Sequence, residues 1–359
     1  MSHSSTPLAS PQRTVWLFSP AVDLSVFLGS AVVSLLLLWV GAAIGVLHSD
    51  SPGWTWVTAV LLIDVAHVYS TAFRVYFDVE ELKRRMLLYV AVPICGFVVS
   101  WALYSEGELL FWRVLAYLAV FHFVRQQYGW VALYRAKAHE NVRWERYIDN
   151  AAIYLATIYP LIYWHTGLPR QFQWFAMDRG ELFFNFPATI AQVAAAVYWI
   201  VMAAYFVKSV YLWNRGRPNL GKDIVVATTA VCWYVGIITF NSDYAFTVTN
   251  VIIHGVPYFA LIYWYMRARR RQTAGASNGW IRTLFLLMAT VWLMAYAEEL
   301  IWDRAVWHDR GWLFGLLGGQ FDVGAFRSVL VPLLAVPQLT HYILDGFIWK
   351  RKHNPNFRL

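Results

Sequence analysis

Ten apolar stretches divide this 359-residue chain, at approximately 22–48, 54–77, 86–104, 110–136, 146–165, 187–213, 223–240, 245–266, 280–300 and 327–350. About 20 residues at 1.5 Å rise cover the hydrocarbon core of a bilayer, so each stretch is long enough to span as a helix. Lipid offers no partner to an unpaired backbone group, which leaves the helix as the spanning form for such segments. The expected fold is all-α: a polytopic membrane helical bundle of about ten transmembrane helices. Composition agrees, with 14% charged residues and a mean hydropathy of +0.45, against about 25% charged in a soluble domain. No soluble domain fits between the stretches. The expected organisation is a flexible N-terminal tail over 1–21, one transmembrane domain over 22–350 and a basic tail over 351–359.

The net charge of +8 arises largely from Lys and Arg gathered in short loops. Lys83, Arg84 and Arg85 form one group, Lys137, Arg143 and Arg146 a second, and Arg215, Arg217 and Lys222 a third. Arg267, Arg269, Arg270 and Arg271 follow, then Lys350, Arg351 and Lys352. These loops alternate with loops poor in Lys and Arg, which places both termini in the cytoplasm of a multi-pass inner-membrane protein. The same distribution gives no reason to expect a nucleic-acid partner. Two longer outer loops are expected at 166–186 and 301–326, where Trp302, Trp307 and Trp312 suit interfacial re-entrant or surface helices in the headgroup zone. Cys95 and Cys232 each lie in an apolar stretch, so a disulfide framework or thiolate metal site is not expected. The start lacks a basic segment followed by a short apolar core and a cleavage site, so no removable signal peptide is expected.

Six of the ten histidines, His3, His48, His139, His165, His308 and His353, fall in tails, loops or helix ends. The other four, His67, His122, His254 and His341, occupy the second, fourth, eighth and tenth stretches, which all run from outside to inside. They precede Lys83, Lys137, Arg267 and Lys350, the basic residues expected at the cytoplasmic ends, by 16, 15, 13 and 9 positions. At 1.5 Å per residue the spread is on the order of 10 Å, which helix tilt can absorb. One layer in the cytoplasmic half could therefore hold all four.

Each imidazole has polar company about one turn away. His67 has Asp64 and Thr71 in DVAHVYST; His122 has Gln126 in HFVRQQYG; His254 has Asn250 in NVIIH; His341 has Gln338 and Asp345 in QLTHYILD. His341 and Asp345 share a helix face, so the carboxylate is expected to take the ring N–H and leave the other nitrogen for a metal or a proton. Polar and ionisable groups in hydrocarbon are costly and mark function. An all-imidazole set suits iron, copper or zinc. Four neutral imidazoles around iron leave one or two positions for dioxygen and substrate, an oxygenase arrangement. With Asp64 or Asp345 as a fourth ligand, three histidines would instead suit zinc and a bound water. Aromatic residues on the same helices could line a cavity for an acyl, isoprenoid or polyene chain. Arg74, two turns beyond His67, and Arg125, three residues from His122, each need an anion, either Asp78, Asp345 or Asp64 or a substrate headgroup. Glu298 and Glu299 lie at the outer end of their helix and are expected to be interfacial.

In architecture and ligand style the chain resembles the Brp/Blh type of bacterial carotene dioxygenase, multi-helix proteins that use a few intramembrane histidines for one iron. That family carries a PHGxxDH-like segment. Here the nearest string is IIHGVPYF, around His254 and Gly255, with no second histidine, so no catalytic residue is carried over. The HxxxH and HxxHH boxes of membrane desaturases and hydroxylases are not present. HFVRQQYGWVALYRAK and THYILDGFIWKRK look like segments of uncharacterised histidine-containing bacterial membrane proteins, which supplies no activity. Alkaline ceramidase-like hydrolases, with three His, an Asp and a Ser around zinc, are similar in part through Ser70 beside His67.

The leading expectation is an intramembrane metal-dependent oxidoreductase of the oxygenase, hydroxylase or desaturase class acting on a lipid-like substrate. Iron would bind through the four histidines. Asp345, Asp64 and Arg125 would take catalytic roles, Gln126, Asn250, Gln338 and Thr71 would orient ligands, and Arg74 or Arg125 would hold a headgroup. With no flavin, nicotinamide or iron–sulfur motif, an electron-consuming version needs a donor protein. The alternatives are a zinc-dependent lipid hydrolase, a b-type haem protein and a proton-coupled transporter.

Overall fold

The structure is a computed structural model and describes residues 15–48, 51–168, 170–171, 184–274 and 279–350. The expected tail over 351–359, most of the tail over 1–21 and most of the loop over 166–186 lie outside the described residues. No strand occurs among the described residues. Among the described residues, eight helices are long and apolar enough to cross a membrane. In chain order they are α1 Pro20–Ala43, α2 Gly53–Arg74, α3 Met86–Glu106, α6 Ala188–Asn214, α7 Leu220–Thr239, α8 Asp243–Gln272, α9 Trp280–Trp307 and α10 Gly324–Ile348. Two further helices, α4 Glu108–Lys137 and α5 Arg143–Trp164, have the length but not the apolarity. His122, Arg125, Gln126 and Gln127 interrupt the apolar run of α4, and Arg143 to Asn150 make the first third of α5 polar.

α2, α8, α4 and α10 pack in a closed ring, each against the next. They run parallel, because their basic ends meet: Arg74 donates to the Ile348 carbonyl at 3.3 Å, and Arg269 pairs with Asp78 just past α2 at 2.8 Å. Several of these helices depart from ideal α geometry. α2 is π-helical over Trp56–Val65 and α8 over Thr247–Val251, each just before its histidine. An extra residue per turn rotates the following face, a device common at functional sites. α10 breaks at Ala335, between the segments Arg327–Leu334 and Val336–Ile348, where Pro332 and Pro337 remove backbone donors.

Gly255 sets how closely α8 approaches α2. A Cβ there would lie 2.5 Å from Ile63 Cγ2 and 3.3 Å from the Ile63 carbonyl oxygen. Only glycine admits this approach, and His254 and Asp64 sit beside the contact.

Two outer-end expectations change. α9 runs on through a π-helical turn to Trp307, so Trp302 and Trp307 extend α9 and not a separate interfacial helix, stack on each other at 5.2 Å and pack against Trp112. Among the three tryptophans expected at the headgroups, only Trp312 is exposed. Glu298 and Glu299 are buried, and Glu298 accepts hydrogen bonds from Tyr69 on α2 and from Trp302.

Candidate metal centre

The four imidazoles converge at the centre of the ring of helices. Centroid separations of 4.7 Å for His67–His254, 5.0 Å for His254–His122, 4.5 Å for His122–His341 and 4.8 Å for His341–His67 describe a near-square. The His67–His122 diagonal is 6.3 Å. Neighbouring rings cross at 65° to 90°, so their edges turn inward. His67 Nε2 lies 3.1 Å from His254 Nε2, and His341 Nε2 lies 3.0 Å from His122 Nε2. Two nitrogens bound at right angles to one ion at about 2.1 Å stand about 3.0 Å apart. All four rings are buried.

What lies behind the rings fixes their orientation. His341 Nδ1 is 2.7 Å from Thr71 Oγ1, Thr71 Oγ1 is 2.9 Å from the Tyr258 hydroxyl, and Tyr258 donates to Asp345 Oδ1 at 2.6 Å. One set of donors satisfies the whole relay: His341 Nδ1–H to Thr71, Thr71 to Tyr258, Tyr258 to the carboxylate. It leaves the Nε2 lone pair of His341 facing inward. His67 Nδ1 faces Asp64 Oδ1 at 3.6 Å, together with the carbonyls of Ile63 and Asp64. His122 Nδ1 faces Asp345 Oδ2 at 3.9 Å. These separations exceed a hydrogen bond, but the carboxylates accept only, so both favour a proton on Nδ1. Converging Nε2 lone pairs repel unless a cation or a shared proton sits between them, and the donor set fits a borderline metal ion. Within this cluster, His67, His122 and His254 form one group that could hold a metal, and His122, His341 and Asp345 a second.

Several expected partnerships are rearranged. Asp345 lies 3.9 Å from His341 Nδ1 and does not bond it directly, because Thr71 from α2 takes that position. Thr71 therefore serves His341 and not its own neighbour His67. Gln126 reaches the His254 carbonyl at 2.7 Å, not a ring. The Asn250 amide nitrogen turns to the Phe246 carbonyl and Thr249, while Asn250 Oδ1 and His254 Nδ1 both stay without a partner. Gln338 is half-buried and makes no hydrogen bond to the four rings. Ser70 donates to the His67 carbonyl at 2.6 Å and so turns away from the cluster.

The two arginines separate in role. Arg74 is buried and meets Glu81 at 3.3 Å, an anion outside the three the sequence suggested. Its guanidinium also stacks over Tyr265 at 4.6 Å. Arg125 is exposed on α4, donates to the Tyr154 hydroxyl and lies over the Tyr128 ring at 4.7 Å. It lines a cleft of about 340 Å³ between α4 and α10, floored by α8. The cleft starts at His122 and Asp345 and runs past Gly129 and Leu133 to Lys350.

Sequence reasoning missed Tyr258 as a hydrogen-bonding link, having counted it with the apolar aromatics. It also missed a polar cluster near the basic end. There Asp149, fully buried, receives Arg135 at 2.8 Å, Lys222 at 3.1 Å and Lys208. Comparison of the chain with protein-family models, curated proteins and solved structures finds no match.

Proposed function

We propose that the four histidines bind one transition-metal ion, iron foremost, and that the chain is an intramembrane metal-dependent oxidoreductase acting on a lipid-like substrate in the adjoining cleft. The observation that carries this reading is the pair of Nε2–Nε2 contacts at 3.1 Å and 3.0 Å, with Thr71 behind His341. Bound iron would supply dioxygen chemistry at the head of the cleft, as in the oxygenases the chain resembles in ligand style.

The protein's own contribution is geometric and electrostatic. Thr71, Tyr258 and Asp345 hold His341 in one tautomer and fix its plane. Phe123, stacked on His254 at 3.8 Å, and Tyr342, stacked on His122 at 4.9 Å, keep water from the rings. The apolar walls of the cleft present a chain beside His122. Asp64 and Asp345 face the Nδ1 sides of the rings, which argues for four imidazole ligands over a zinc set completed by a carboxylate. The reading includes ten spans, α4 and α5 among them, with both termini cytoplasmic in an inner membrane. An electron-donor protein joins it where the reaction consumes electrons.

Elemental analysis of purified protein, with single His67→Ala, His122→Ala, His254→Ala and His341→Ala variants, tests the centre. One iron per chain, lost from each variant at unchanged helix content, is expected. Absence of iron, together with equal turnover in aerobic and anaerobic samples, would sink the oxygenase reading.

A further inference from the structure

We infer that the cleft receives a single-chain amphiphile with an anionic carboxylate or phosphate head, held by Arg125 within one helical turn of the histidine centre. This rests on reading the cleft as the substrate's, though not on which ion the histidines hold.

Arg125 stands midway along the thirty residues of α4, and with α4 read as a span its guanidinium needs an anion. No carboxylate among the described residues pairs with it. Its partners are neutral, the Tyr154 hydroxyl and the Tyr128 ring, which aim the guanidinium without neutralising it. Asp345 is the one carboxylate lining the cleft, and it is engaged by Tyr258 at 2.6 Å and Trp349 at 3.2 Å. Arg74, the other intramembrane candidate, already has Glu81. The compensating charge at Arg125 must then come with the occupant.

The volume limits that occupant. About 340 Å³ lies at the lower end of small-molecule sites, which run from roughly 300 to 1,000 Å³, so the cleft encloses the head-side part of one chain and not of two. A head on Arg125, and not on Lys350 at the far end of the cleft, sets the direction as well. Residues three apart on a helix are neighbours, about 5–6 Å between Cβ atoms, so a head on Arg125 stands within one turn of His122 and a tail leading away from it keeps its first carbons nearest the centre. The tail then follows Gly129 and Leu133. The carbons presented to the centre are those nearest the head.

Binding of tritiated palmitate, hexadecyl phosphate and hexadecanol to the purified full chain in neutral detergent, with and without a chelator, tests this. Wild type should hold the two anions about tenfold or more tighter than the alcohol, as a charge-assisted contact implies. Arg125→Gln should abolish that preference and leave hexadecanol unchanged, while Arg125→Lys keeps part of it. No preference in wild type, or one that survives in Arg125→Gln, overturns the inference. Displacement of palmitate by phosphatidylglycerol as effective as by palmitate itself would make a bilayer headgroup the anion, and overturns the single-chain occupant. Anion preference that persists under chelation separates this test from the fate of the metal reading. In iron-loaded protein, the C2 resonance of labelled palmitate should broaden more than C16, and the opposite order overturns the orientation.

Discussion

Thr71 Oγ1 lies 2.7 Å from His341 Nδ1 across 270 positions of sequence, and this contact ties α2 to α10 at the histidine centre. It stands where Asp345, one turn from His341 on its own helix, was expected to act. The carboxylate still contributes, but through two hydroxyls.

Thr71→Val removes both hydrogen bonds of that side chain at nearly constant volume. The expected result is a loss of metal affinity of about 10–100-fold with all four histidines intact, the usual cost of losing a ligand's orienting partner. Tyr258→Phe should cost less, since Thr71 keeps its contact with the ring. Titration against a chelating competitor measures both. Unchanged affinity in Thr71→Val would show that the relay does not orient His341.

Gly255→Ala is expected to weaken the centre from outside it. The added methyl would meet Ile63 Cγ2 at 2.5 Å and the Ile63 carbonyl oxygen at 3.3 Å. α8 and α2 must move apart, and His254 and His67, whose nitrogens are 3.1 Å apart, move with them. Overpacking of this kind costs roughly 1–3 kcal/mol. Both thermal stability and metal stoichiometry should fall. A fall in stability alone would mean that the pair tolerates the shift.

The four histidines were legible because intramembrane polar groups are few and depth can be counted from the basic loops. Counting left a spread of several residues, and the π-helical turns before His67 and His254 and the break in α10 alter register in ways that a 3.6-residue period does not describe. The partners of the rings were legible only as residue types. Thr71 was visible beside His67, but its bond crosses to another helix, and nothing in a single sequence fixes which helices adjoin. Glu81 escaped for a related reason, since the chain turns at Val75 and a short helix over Val79–Arg84 brings it back under Arg74. Lys222 was read as a loop cation, although it is 1% exposed.

That buried lysine belongs to the Asp149 cluster, where α4, α5, α6 and α7 meet. Asp149 receives Arg135, Lys208 and Lys222, while Glu140 also holds Lys222 at 2.5 Å. Removing one member of a buried ion cluster leaves its partners uncompensated, at a cost of about 3–5 kcal/mol. Asp149→Ala should therefore lower stability by that amount, far more than Asp223→Ala on the half-buried rim of α7. Denaturation monitored by circular dichroism in detergent compares them. Equal effects would mean that water or a rearranged Glu140 replaces Asp149.

A second set of ion pairs, whose carboxylates lie outside the spans, predicts how stability depends on pH. Asp78 accepts from the Glu81 backbone, Tyr265 and Arg269; Glu81 faces Arg74, Arg84, Arg85 and Tyr89. Burial pushes both carboxyls up, but these hydrogen bonds and cations outweigh it and hold each below its ordinary value of 3.8 or 4.5. A carboxyl depressed by folding stabilises fully above its unfolded pKa, and that contribution disappears as pH falls through the folded value. The two pairs should thus hold the turn between α2 and α3 against α8 at neutral pH and release it below about pH 4. The difference in melting temperature between wild type and an Asp78→Asn, Glu81→Gln double variant isolates them from other acids. It should be constant from pH 7 to about pH 5 and close as pH falls further. A difference that stays constant down to pH 3 would place the acid sensitivity elsewhere in the chain.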